Sequence, residues 1–168
     1  ILSITRLLKN PPRDSLKMLA TVAEALRQLG ISNVDEHIIM IRDWSTATIT
    51  ASMQTFSKSQ IAKAERFSST RNFDIVCLPG VKKQQVHNFF AFERPVYYES
   101  SSQILAGNED FFDKYAYNIR PATDDKPYFF DFFKWKALPY LIQSIKGNWI
   151  VFSELGYLVL VATLLQAI

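Results

Sequence analysis

The sequence predicts an α/β domain that leads into a membrane-spanning helix. Segments with strand and helix character follow one another in the order strand, helix, strand pair, helix, strand, which is the order of an α/β domain. Trp149 to Ile168, WIVFSELGYLVLVATLLQAI, is apolar enough and long enough to cross a bilayer. At a helical rise of about 1.5 Å per residue, about twenty residues cover the roughly 30 Å hydrocarbon core. Trp149 stands where an amphipathic ring favours the headgroup level, and Lys134, Lys136 and Lys146 precede it on one side. A buried core helix is the alternative, because Glu154 and Gln166 interrupt the run.

The elements follow in order. Ile1-Leu2-Ser3-Ile4-Thr5 reads as a strand already in progress, with no initiating Met or signal peptide, so the chain is expected to be a piece of a longer protein. Asn10-Pro11-Pro12-Arg13 breaks the strand, and Asp14 or Ser15 is expected to cap a helix whose Leu16, Leu19, Ala20, Ala23 and Leu26 share one face. Gly30 is placed to stop that helix. His37–Ile41 and Thr46–Met53 are rich in β-branched residues and flank the short link Arg42–Ser45, which predicts an antiparallel pair. Ser57-Lys58-Ser59-Gln60 is a capping box ahead of a helix carrying Ile61, Ala64 and Phe67. Phe73–Leu78 reads as a buried strand ending at Pro79-Gly80. Lys82–Glu99 reads as loop with short helix, and Asn108 is expected to cap a helix through Tyr115.

Composition excludes several classes of function. The net charge is only +3 and the basic residues are dispersed, which argues against nucleic acid. No two of the five glycines have the close spacing of a phosphate-binding loop. His37 and His87 have no ligand-spaced partner, no G-x-S-x-G elbow occurs, and no metal site is expected. The single cysteine, Cys77, rules out an internal disulfide framework and suits a reducing compartment.

Three polar features remain. Asp124-Asp125 can hold a cation or attract an amine, or can serve as a turn next to Pro127. Phe129, Phe130, Phe132, Phe133 and Trp135, with Lys134 and Lys136, read as a membrane-interface segment or as a buried aromatic core. Glu154 within the apolar run needs shallow placement or contact with another helix.

Two segments carry a family resemblance: Ile4–Lys17 (ITRLLKNPPRDSLK) and Ile119–Trp135 (IRPATDDKPYFFDFFKW), with Phe73–Gly80 between them. Together they resemble bacterial multi-pass membrane proteins described as spermidine synthase-like, in which a methyltransferase-fold domain is inserted between transmembrane helices. The resemblance implies three parts. Residues 1–127 would be the C-terminal half of a Rossmann-like methyltransferase fold. Residues 128–147 would be an aromatic and basic interface segment, and residues 148–168 the start of a transmembrane helix.

It also implies that the glycine-rich cofactor loop, the ribose-binding acid and the catalytic aspartate precede Ile1, so no catalytic residue is assigned here. The turn that helps line the amine pocket in aminopropyltransferases corresponds roughly to Arg42–Thr46. Its tyrosine and proline are replaced by Asp43-Trp44-Ser45. Trp44 can offer an aromatic wall, and Asp43 a carboxylate for an ammonium group, with Arg42 beside them.

The expected function is therefore part of a membrane-anchored transferase that moves an aminopropyl or methyl group from an S-adenosylmethionine-type donor. The cofactor, S-adenosylmethionine or its decarboxylated form, would be bound by the intact protein and not by this segment alone. The alternative is a non-catalytic scaffold or accessory subunit of a membrane complex. Expected partners are the lipid bilayer, the remainder of the same polypeptide and other subunits of such a complex, with no nucleic acid. The expected location is the bacterial inner membrane, with the domain on the cytoplasmic face.

Overall fold

The computed structural model of the chain describes residues 1–9, 11–81, 89, 96–137 and 163–166. The chain divides into two compact units, Ile1–Phe132 and Phe133–Ile168. The first holds strand β1 (Leu2–Leu7), helix α1 (Asp14–Gln28), a 3-10 turn (Val34–His37), β2 (Ile38–Arg42), β3 (Thr46–Ala51), α2 (Lys58–Arg71), β4 (Asp74–Cys77), α3 (Val96–Leu105) and α4 (Glu109–Lys114).

The sheet order is β1-β3-β2-β4, and every neighbouring pair is antiparallel. This corrects the expected Rossmann-like arrangement, which requires adjacent parallel strands. The reason lies in the link after β2. A two-residue loop, Trp44-Ser45, sends β3 straight back beside β2, as so short a connection must. β3 then pairs with β1 on its other side. The strands joined through α1, β1 and β2, run the same way but never touch, because β3 lies between them. β4 returns through α2 and also pairs antiparallel, with a register irregularity between Met40 and Ile41.

The expected transmembrane helix is likewise not found: no helix among the described residues is long and apolar enough to cross a membrane. Residues 138–162, 167 and 168, and with them Trp149 and Glu154, lie outside the described residues. In the second unit, a 3-10 turn spans Trp135–Ala137 and residues 163–166 form a helical turn.

Two cores flank the sheet. On one face α1 buries Leu16, Leu19, Ala20 and Ala23, against strand residues that include fully buried Ile38, Met40, Ala47 and Ile49. The apolar stripe read from the sequence is this face. The cap differs from expectation: Arg13 is the residue ahead of the first turn, and no side chain hydrogen-bonds there. Gly30 adopts a positive φ of 87°, a conformation that glycine tolerates better than other residues. On the other face, α2 lays Ile61 and Ala64 over Ile39, Ile75 and Leu78, joined by Phe56. Its capping box forms, with Ser57 Oγ accepting from Gln60 N and Gln60 Oε1 accepting from Ser57 N. Asn72 ends the helix in the left-handed region at φ 55°.

β1 is an edge strand, and Leu2 and Leu7 are both exposed. Leu8 N donates to Ser45 O. In an antiparallel ladder the direction alternates, so Ile4 and Arg6 also turn their amides toward β3, while Ser3, Thr5 and Leu7 turn theirs to the open edge. Two backbone-tolerance variants test this register. Ile4→Pro removes a ladder donor, whereas Thr5→Pro removes only an edge-facing one. In denaturant melts, Ile4→Pro is expected to cost about 2 kcal/mol more than Thr5→Pro. Equal losses would contradict the register.

Candidate functional site

The polar groups of the first unit gather at two ends of the sheet. At one end, β1 stops, α1 begins and the β2–β3 hairpin turns. Here the segment leading to Phe132 is fastened onto the head of α1. Lys17 Nζ donates to the carbonyl oxygens of Tyr128 (3.2 Å) and Asp131 (2.8 Å). The Lys17 ammonium also lies 5.1 Å from the Phe132 ring centroid and 5.9 Å from that of Phe129. Arg13 stacks over Tyr117 and Phe132, and Arg6 over Phe129. Tyr115 Oη donates to Pro12 O at 2.6 Å, and Ala122 N donates to Thr21 Oγ1 at 3.1 Å. Burial pulls the Lys17 ammonium below its ordinary value, against the opposing pull of Asp131 and Asp14. Asp14 itself is buried and pairs with Lys9 at 3.1 Å.

The three residues proposed for the amine pocket lie in different surroundings. Arg42 is 5% exposed and forms a buried ion pair with Asp74, which is 1% exposed, while its guanidinium lies over the Tyr97 ring. Burial lowers the Arg42 value, and Asp74, Tyr97 and Asp43 counter that shift. Asp74 also accepts from Phe89 N at 2.5 Å. Arg42 therefore faces a partner in the fold, and not an open pocket.

Asp43, the first residue past β2, closes the hairpin. Its carboxylate accepts from Ser45 N (2.6 Å), Thr46 N (2.5 Å) and Thr46 Oγ1 (3.0 Å). Burial pushes this carboxyl up, but the hydrogen bonds from Thr46 and Ser45 outweigh it and hold the group below its ordinary value. Trp44, at the tip, is 76% exposed.

The remaining sequence candidates divide by environment. Asp124 and Asp125 are the exposed central residues of a tight turn whose flanks, Thr123 and Lys126, bond each other through N–H and carbonyl. Among the proposed interface aromatics, Phe132 is 0% exposed and belongs to the core of the first unit, so it is unavailable to a bilayer. Phe129 is half-buried beneath Arg6, and Phe130 is exposed. In the second unit Phe133 packs edge-on against Trp135 at 5.3 Å, Trp135 and Lys136 are exposed, and Lys134 is half-buried.

At the opposite end of the sheet, an open cleft of about 570 Å³ lies beyond the C-terminal end of β4. Cys77 and Leu78 form part of its floor, the Tyr98, Ser102 and Leu105 face of α3 forms one wall, and Ser32 and Asp35 line its rim. Sequence reasoning missed this cleft, because its polar residues come from three separated segments with no motif spacing. Among the described residues no group of three His, Cys, Asp or Glu side chains is placed to hold a metal ion. No family model, curated protein or solved structure matches the chain.

Two buried groups set an alkaline limit on stability. Burial pushes the Cys77 thiol from 9.0 up to about 12. It also pushes the Tyr97 hydroxyl, which donates to Lys9 O at 3.2 Å, from 10.0 up to about 12, against the opposing charge of Arg42. Both raised values mean that the folded state holds its protons longer than the unfolded state does. The associated stability is present below about pH 9 and is lost as pH rises toward about 12. The urea midpoint is expected to fall above pH 9, and Cys77→Ala and Tyr97→Phe should each flatten that fall. A parallel decline in both variants would reject the assignment.

Lys17→Met keeps the side-chain bulk but leaves two carbonyl oxygens without their donor. A loss of about 2 kcal/mol is expected. Arg42→Met strands the buried Asp74 carboxylate and is expected to lose about 3–5 kcal/mol. If Arg42→Met is the milder change, the ion pair is not the stronger constraint.

Proposed function

We propose that this chain is part of a transferase that moves an aminopropyl or methyl group from an S-adenosylmethionine-type donor, with the main reacting groups supplied by polypeptide outside these residues. One observation carries the reading. The two segments behind the family resemblance, Ile4–Lys17 and Ile119–Trp135, are far apart in sequence, yet their residues within the first unit interlock through Lys17, Arg13 and Arg6. In this chain the residues of the two segments thus have one physical task. Lys17 has to reach the Tyr128 and Asp131 carbonyls, and aromatic rings have to receive the cations. In this reading, the described residues support and orient, and the donor is bound elsewhere.

A second reading, a scaffold without catalysis, draws on a different fact. Arg42, Asp43 and Lys17 are each committed to holding backbone or side chains within the fold. Calorimetric titration of the intact protein with S-adenosylmethionine, decarboxylated S-adenosylmethionine and putrescine separates the two. Saturable donor binding, followed by mass-detected transfer to an amine or another acceptor, is expected for the transferase. Absence of binding by either donor rejects it in favour of the scaffold.

A further inference from the structure

We propose that the outer face of α2 docks onto an anionic lipid surface. The charge of the chain points there. α2 carries Lys58, Lys63, Arg66 and Arg71 against one acid, Glu65. The whole chain has 19 lysines and arginines against 16 acids, a formal net of +3. α2 alone accounts for that excess, and the residues outside it balance at 15 against 15. Residues 82–88, which follow Val81 and lie outside the described residues, hold Lys82 and Lys83 and no acid, so they cannot cancel it.

Helical spacing turns the excess into a surface. Ile61 and Ala64 pack on the sheet, and Ser68, on the same side, is 1% exposed. Lys63 and Arg66 stand on the opposite side, in a row with Ser59 and Thr70 at i, i+4, i+7 and i+11, and all four are exposed. Among the described residues no carboxylate pairs with Lys58, Lys63 or Arg66. A second observation is apolar. Phe67 is 47% exposed and has Lys63 and Arg71 one turn away on either side, with the Arg71 guanidinium 5.9 Å from its ring centroid. Phe73 backs the ring at 5.6 Å, so an aromatic group is held at the surface among cations.

The occupant follows from shape and composition. A peptide docks into a groove or along a sheet edge, whereas α2 offers the convex side of a helix whose residues other than Ile61, Ala64 and Ser68 are all exposed. A planar surface meets such a face along its length. The cations then lie at the headgroup phosphates and Phe67 at the level of the first acyl carbons, as in helices that rest in an interface. Each lysine or arginine near an anionic leaflet contributes about fivefold in affinity. The contact is separate from the aromatic segment and needs no spanning helix. It stands whether or not the chain takes part in group transfer, so its failure leaves the transferase reading intact, and the reverse also holds.

Co-sedimentation of the complete 168-residue chain with vesicles is the test. The vesicles are equal parts phosphatidylserine and phosphatidylcholine, or phosphatidylcholine alone. Because Trp149–Ile168 is itself apolar, the readout is the ratio of anionic to neutral binding. Tighter binding to the anionic vesicles is expected, with the preference lost at about 1 M salt, where the Debye length is about 3 Å. Lys63→Gln/Arg66→Gln should weaken anionic binding about 20-fold and leave neutral binding unchanged. Lys114→Gln/Lys126→Gln removes two exposed cations elsewhere in the first unit and should weaken it by about twofold at most. All four positions are exposed, so the melting curves of both variants are expected to match that of the original chain. The proposal is overturned by equal binding to the two vesicles or by equal losses in the two double variants. Tighter binding to poly-glutamate or duplex DNA than to anionic vesicles at the same salt also overturns it, by assigning the face to another anionic partner.

Discussion

The ammonium of Lys17 is the contact on which the closing segment of the first unit depends. A lysine in the first turns of a helix normally points to water. Here it is 2% exposed and donates to two carbonyl oxygens that belong to no helix or strand. Those carbonyls sit in residues 128–131, where the backbone has little regular structure to satisfy it. The bonds bring Phe132 down onto the core, and Phe132 in turn receives Lys17 and Arg13 on its ring. Desolvating the amine is costly, so the arrangement holds only because carbonyl, carboxylate and aromatic groups surround it. The first unit runs to Phe132, and this fastening lies at its end.

Much of the local structure was legible in the sequence, and the global arrangement was not. The α1 stripe, the capping box at Ser57, the β2–β3 pair and the burial of Cys77 all follow from spacing or residue type within about a dozen positions. The strand order does not. That the hairpin would insert β3 between β1 and β2 is a decision made by tertiary packing, and periodicity is silent on it. The family resemblance led to a parallel sheet precisely where local reading of the Arg42–Ser45 link had already implied an antiparallel return.

The candidate sites fared according to the same division. Asp43 and Arg42 are adjacent in sequence, and adjacency invited a joint role in one pocket. Arg42 ends β2 and meets Asp74 and Tyr97, whereas Asp43 stands in the hairpin link and closes the turn. Phe132 shows the converse problem. A run of aromatics beside lysines reads equally as a surface belt or as a core, and only the position of Arg13 and Lys17 above the ring decides it. The cleft at the other end of the sheet could not be anticipated, since Ser32, Asp35, Cys77 and Ser102 have no spacing in common.

The two-residue loop at Trp44-Ser45 has a kinetic consequence. Its strands meet after almost no chain closure, and the Asp43 carboxylate can organise the turn as soon as Ser45 and Thr46 arrive. β1 must instead find β3 across some forty residues, including all of α1. Loop-closure entropy therefore favours an order of assembly in which the hairpin forms early and offers a template, with β1 zipping onto it once α1 is present to cover Ile49. The strand that is first in sequence would be among the last to find its place.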